Sequence, residues 1–117
     1  MNIQRIRPNA RMSAAVVCNG LVFVAGQVAD DASADVAGQT TQILAKIDQL
    51  LAEAGSSKER IVSANIWLAD IATFGQMNGI WDAWVPAGEP PARACVESRL
   101  AFPQYTVEIA VIAAQGR

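Results

Sequence analysis

At 117 residues and 52% apolar composition, the chain suits one domain spanning residues 1–117, and it is more apolar than a lone domain of this size can bury, so another subunit is expected to cover part of its surface. The net charge is −2 and the nine basic residues form no block, which argues against a nucleic-acid partner, because such partners are held mainly through basic patches on phosphates. With no His and no close pair among Cys18 and Cys95, ligand supply argues against a structural zinc site, and any base must be a carboxylate, a thiolate, a Lys or a Tyr.

The first residues, MNIQRIRPNARM, carry charges and a Pro and lack the apolar stretch of a signal peptide. No apolar run approaches the roughly 18 residues of a membrane span. A cytoplasmic location without membrane attachment is expected. Residues 2–7 read as a short edge strand with Ile3 and Ile6 as apolar members, ended by Pro8. Two apolar runs, 14–18 and 21–28, are joined by Asn19-Gly20, a pair that tolerates positive φ at both turn positions. Gly26 inside the second run implies a bulge or a close backbone approach.

From Asp35 the apolar period changes to a helical one. Val36, Ile43, Leu44, Ile47, Leu50, Leu51 and Ala54 lie on one stripe, Asp35 can cap the start, and Gly55 can close the end in a left-handed conformation. Residues 61–69 read as a strand. A second helix follows over 72–85, with Phe74, Met77, Trp81, Trp84 and Val85 as its apolar stripe, stopped by Pro86 and the Gly88-Glu89-Pro90-Pro91 loop. Two strands, 92–98 and 105–114, complete the order βββαβαββ. The pattern predicts an α+β sandwich, a mixed sheet with both helices on one face. The last strand is apolar on both faces except at Glu108, and no third helix exists to cover its second face.

Two ionisable residues sit in unusual places. Arg93 lies at the start of a strand, in Pro-Pro-Ala-Arg-Ala-Cys-Val, and Glu108 lies inside an apolar one. A buried charge is costly unless paired or used. They read either as a structural pair, or a rim Arg reaching water, or as a carboxylate-binding Arg beside a carboxylate that handles a proton or a water. Strand register decides whether they share a face, and their partners could come from different subunits. Cys18 and Cys95 read as small buried thiols rather than a disulfide.

The segments Pro91-Ala92-Arg93-Ala94-Cys95-Val96-Glu97 and Val107-Glu108-Ile109 resemble the RidA/YjgF family at a specific spacing. The run from Gly20 to Val28, Gly55, and Met77-Asn78 before Trp81 add weaker matches, and together the resemblance covers nearly the whole chain. It implies a chorismate-mutase-like α+β sandwich, assembled as a homotrimer with active sites between subunits. It also implies hydrolysis of reactive enamines and imines of the 2-aminoacrylate type to 2-keto acids and ammonia, without a cofactor or metal. The activity so implied is that of a 2-iminobutanoate/2-iminopropanoate deaminase.

By resemblance Arg93 grips the substrate carboxylate and Glu108 holds a water near the reacting carbon. Cys95 contributes largely backbone groups, and Asn78 and Gly26 line the pocket. Met12 stands where the family has a Tyr, Ala25 where it has a Ser, and the loop between Pro103 and Glu108 is one residue shorter. These departures make the pocket less polar and are similar to the YoaB-like branch. The same Arg pocket would also serve a non-catalytic metabolite-binding or regulatory module. A ribonuclease, the family's other attributed activity, is disfavoured by the acidic balance and the missing His.

Overall fold

A computed structural model of the chain describes residues 2–116. Its elements are β1 (Ile3–Ile6), β2 (Ala15–Cys18), β3 (Leu21–Gln27), α1 (Val36–Glu53), β4 (Ile61–Leu68), α2 (Phe74–Trp84), β5 (Ala92–Glu97) and β6 (Val107–Ala114), the order read from the sequence. Asn19 and Gly20 turn at φ 53° and 77°, which suits the right-handed twist of the β2–β3 hairpin. Asp35 caps α1 by accepting a bond from the Gly38 N–H at 2.8 Å. At the other end Gly55, at φ 73°, donates to the Ala52 carbonyl while Ser56 donates to that of Leu51, closing the helix with a paired 5→2 and 6→1 turn.

The strands form one six-stranded sheet in the order β1-β2-β3-β6-β4-β5. Neighbours run antiparallel except β4 and β5, which are parallel because α2 carries the chain from the end of one back to the start of the other. Both helices pack on the same face, α1 over β3 and β6 and α2 beside α1. Val22, Val24, Ile66, Leu68, Ile109 and Val111 point from the sheet into this layer and meet Ile43, Leu44, Ile47 and Leu51 of α1. The stripe read along α1 is thus the core face.

The stripe read along α2 divides in two. Met77 and Trp81 are buried, whereas the Phe74 ring is 39% exposed and Trp84 lies over Lys58 with its Nε1 donating to Asp48. Two polar side chains are wholly inside: Thr40 Oγ1 donates to the Val36 carbonyl within α1, and Gln39 donates from Nε2 to the carbonyls of Ala32, Ala34 and Gln104 and accepts from the Thr106 N–H, so it ties two loops to α1.

Candidate functional site

Strand register decides where the two unusual charges go. Arg93 lies beside Ala64 and Cys95 beside Ile66, and those β4 residues point into the helical layer. Side chains of paired neighbours share a face, so Arg93 and Cys95 turn toward α2. There Arg93 Nη1 donates to Asn78 Oδ1 at 2.7 Å, and the guanidinium carbon lies 5.3 Å from the centre of the Trp81 ring and 5.7 Å from that of Phe74. Both rings are within the range of cation–π attraction. The ion pairs among the described residues, Arg7–Glu53 and Lys46–Asp30, do not involve Arg93.

Cys95 packs its sulfur against the core. Burial pushes the thiol pKa up, against the opposing pull of the Arg93 charge. It is therefore a protonated, poorly nucleophilic thiol near neutral pH. Its backbone points elsewhere. Ser98 N–H donates to the Leu68 carbonyl of β4, and peptide groups alternate sides along a strand, so the N–H and C=O of Cys95 face the free outer edge of β5. These unpaired groups, beside a guanidinium, can bind a ligand's oxygen or nitrogen.

Glu108 goes the other way. It pairs with Trp67 on β4, on the face that carries no helix. Beside it the β3–β6 pairing slips between Val24 and Gln27, at Gly26. A Cβ built at Gly26 would sit 2.1 Å from Glu108 Oε2, so only glycine lets that carboxylate lie across β3. Both readings of Gly26 therefore hold, a bulge and a close approach. Among the described residues the Glu108 carboxylate accepts no hydrogen bond, which leaves both oxygens available to a water or ligand. The loop above this end of the sheet is set by Asn9, whose Oδ1 accepts from the N–H groups of Arg11 and Met12. It presents Met12, 51% exposed, and Ala25 is tied to it through a bond to the Ala14 carbonyl.

The structure thus brings Arg93, Cys95 and Asn78 together, and separately Glu108 with Gly26. It does not bring the two groups together in one chain. β4 lies between β5 and β6, so the strands are about 10 Å apart and the residues are offset by roughly another 10 Å along the strands. Their side chains also leave opposite faces of the sheet. A depression of about 660 Å³ under the 98–105 loop is lined by Glu97, Arg99, Phe102 and Tyr105 but by neither Arg93 nor Glu108. Among the described residues, no three Cys, Asp or Glu side chains cluster as metal ligands.

The contacts of Phe74 and Trp81 with Arg93 were not read from the sequence. Their stripe reads as core alone, whereas positions 74, 78 and 81 form one helical face turned to Arg93. The signal was available as an amide between two aromatics at i, i+4 and i+7.

Residues 2–115 match the family model described as Endoribonuclease L-PSP. A RutC family protein of Haemophilus influenzae is 46% identical over 114 residues, covering 97% of this chain and 98% of its own. The RutC family protein YoaB of Escherichia coli is 44% identical over 114 residues, with 97% and 99% covered. The crystal structure of a YjgF-family protein from Neisseria meningitidis superposes with a TM-score of 0.97 at 46% identity, over 100% of this chain and 98% of that one. The chain belongs to the RidA/YjgF family. Within it, the match to YoaB agrees with the branch suggested by Met12 and Ala25. As a RidA/YjgF member it has the α+β sandwich read from its sequence. No described helix is long and apolar enough to cross a membrane.

Proposed function

We propose that the protein hydrolyses imines of 2-oxo acids, and the enamines that tautomerise to them, in clefts between the subunits of a homotrimer. The observation that carries this reading is an arginine at a free strand edge whose charge no carboxylate among the described residues neutralises. A guanidinium fork fits a carboxylate in two parallel bonds and so fixes orientation as well as charge. The outward backbone groups of Cys95 lie next to it. Glu108, on the opposite face of the same chain, would serve the cleft built with a neighbouring copy.

The reaction adds water across C=N and releases ammonia: R–C(=NH)–COO⁻ + H₂O gives R–C(=O)–COO⁻ + NH₃. Glu108 accepts a proton from the attacking water as the water oxygen bonds to carbon and passes it to the nitrogen; as the C–N bond then breaks and C=O forms, the remaining hydroxyl proton also goes to the nitrogen, which leaves as ammonia. Free imines hydrolyse readily, so orientation by Arg93 and a water held at Glu108 can supply the modest acceleration required, at about 1.4 kcal/mol per tenfold. Met12 and Ala25 leave the pocket rim apolar, which favours imines with apolar side chains.

The test is turnover of freshly generated 2-iminobutanoate by wild type and by two Arg93 variants whose assembly has been confirmed. Losing one partner of a partly dry charge pair costs roughly 2–5 kcal/mol. Arg93→Ala should therefore lower kcat/KM by about 30-fold to several thousandfold, and Arg93→Lys should recover part of that loss. A trimeric Arg93→Ala enzyme with a near-normal rate would overturn the carboxylate clamp. Binding of the 2-oxo acid without any turnover by wild type would leave a metabolite-binding module instead.

A further inference from the structure

Arg93 is held in an unusual manner. An arginine that serves as a strut between elements is commonly fixed by a carboxylate, which cancels its charge. Here the holding groups are neutral: the Asn78 amide oxygen and the faces of Phe74 and Trp81. All three come from one face of α2, at spacings of four and three residues. Each restrains the guanidinium differently. The rings limit the plane it can occupy, and the amide fixes one corner of its fork. None of them removes its positive charge.

The amide orientation follows from chemistry. A guanidinium can only donate, so Asn78 must turn Oδ1 toward it. Asn78 Nδ2 then points away from Arg93, and among the described residues it donates to no acceptor. The anchored Nη1 occupies one corner of the fork, and the remaining N–H groups stay free to form a two-pronged contact. Trp81 is 5% exposed and packs against the core, so its ring is fixed by the fold rather than by Arg93.

We infer that Phe74, Asn78 and Trp81 form a neutral cradle that aims Arg93 at an anionic ligand while leaving its charge uncompensated, with Asn78 the principal positioning residue. This rests on the reading of Arg93 as a carboxylate clamp, and it replaces a direct substrate contact by Asn78 with one made through Arg93. A strut and a cradle respond oppositely to one substitution. Asn78→Asp is nearly isosteric and keeps Arg93 paired. It strengthens a strut. In a cradle it supplies a resident carboxylate that competes with the ligand's and cancels the charge.

The experiment titrates assembled protein with 2-oxobutanoate and with its methyl ester by calorimetry, alongside thermal melting. Wild type should bind the acid at least tenfold tighter than the ester. Asn78→Asp should lose at least tenfold of that preference while melting no lower than wild type. Asn78→Ala, which frees the guanidinium without adding charge, should lose a few-fold. Phe74→Leu should do the same, and Trp81→Phe, which keeps a ring, should retain most of the preference. An Asn78→Asp protein with undiminished preference, or Asn78→Ala with none lost, overturns the cradle and leaves the clamp standing. A wild-type protein that does not prefer the acid overturns the clamp itself, and the cradle with it.

Discussion

The two faces of the sheet differ in what completes them. On the helical face, alternate residues of β3, β4 and β6 are buried to a few percent, and α1 supplies the matching side chains. On the other face Phe23 is 41% exposed, Leu21 lies beside it, and Ile112 and Ala110 frame a cavity of about 150 Å³ with Ser63 and Asn65. One face is a finished core. The other has apolar side chains without a cover among the described residues, and it also carries Glu108. It is the two candidate charges that are separated by the thickness of one sheet, with Arg93 at the rim of the finished core and Glu108 on the uncovered face.

The largest expected effect comes from charging the unfinished face. Phe23→Glu should keep a native-like circular dichroism spectrum yet fall, in sedimentation equilibrium, from about three times the 12.4 kDa chain mass toward one. A trimer that survives this change would show that the face is covered in some other manner. On the finished face, Leu51→Ala should cost about 2–5 kcal/mol of unfolding free energy in denaturant titration, because the cavity adds to the lost transfer energy. A cost below about 1 kcal/mol would mean that this core repacks freely.

Gly26→Ala sharpens the contrast from the functional side. The new methyl must displace the Glu108 carboxylate, so the imine hydrolysis rate should fall at least tenfold while the melting temperature changes little. Restoration of the rate in a Gly26→Ala/Glu108→Asp double variant would locate the damage in that collision.

The smallest effect is expected at Cys95. Cys95→Ala should keep most of the hydrolysis rate, since the proposed site uses the backbone of this position. Loss of the rate in an assembled trimer would bring the thiol into the chemistry. The thiol should leave a mark on pH dependence instead. Its pKa is raised in the fold, so the folded state keeps its proton when an unfolded Cys has ionised. Wild type should therefore lose stability as pH rises above about 8.5, in thermal melts, and Cys95→Ala should lose less.

Much of the architecture was legible because it is written in local patterns. The Asn19-Gly20 turn, the cap at Asp35, the left-handed Gly55 and the α1 stripe each rest on residues within a few positions of one another. Gly26 was legible as an irregularity, but not its cause, because the group that requires it lies 82 positions away at Glu108.

The residue types of the candidate site were likewise singled out by the sequence. Arg93 and Glu108 stood out because charge inside an apolar strand is costly, and the spacing of their segments resembled a known family. What the one-dimensional pattern could not decide was pairing. The placement of β6 between β3 and β4 and the parallel register of β4 with β5 put Arg93 on the helical face and Glu108 on the other. The i, i+4, i+7 face of α2 acquires its meaning only when β5 sets a guanidinium beneath it. The physical reason is common to all three. Local backbone preference selects helices, turns and strands, while the partner of each face is chosen by packing and hydrogen bonding between segments far apart in the chain, which only the folded molecule brings into contact.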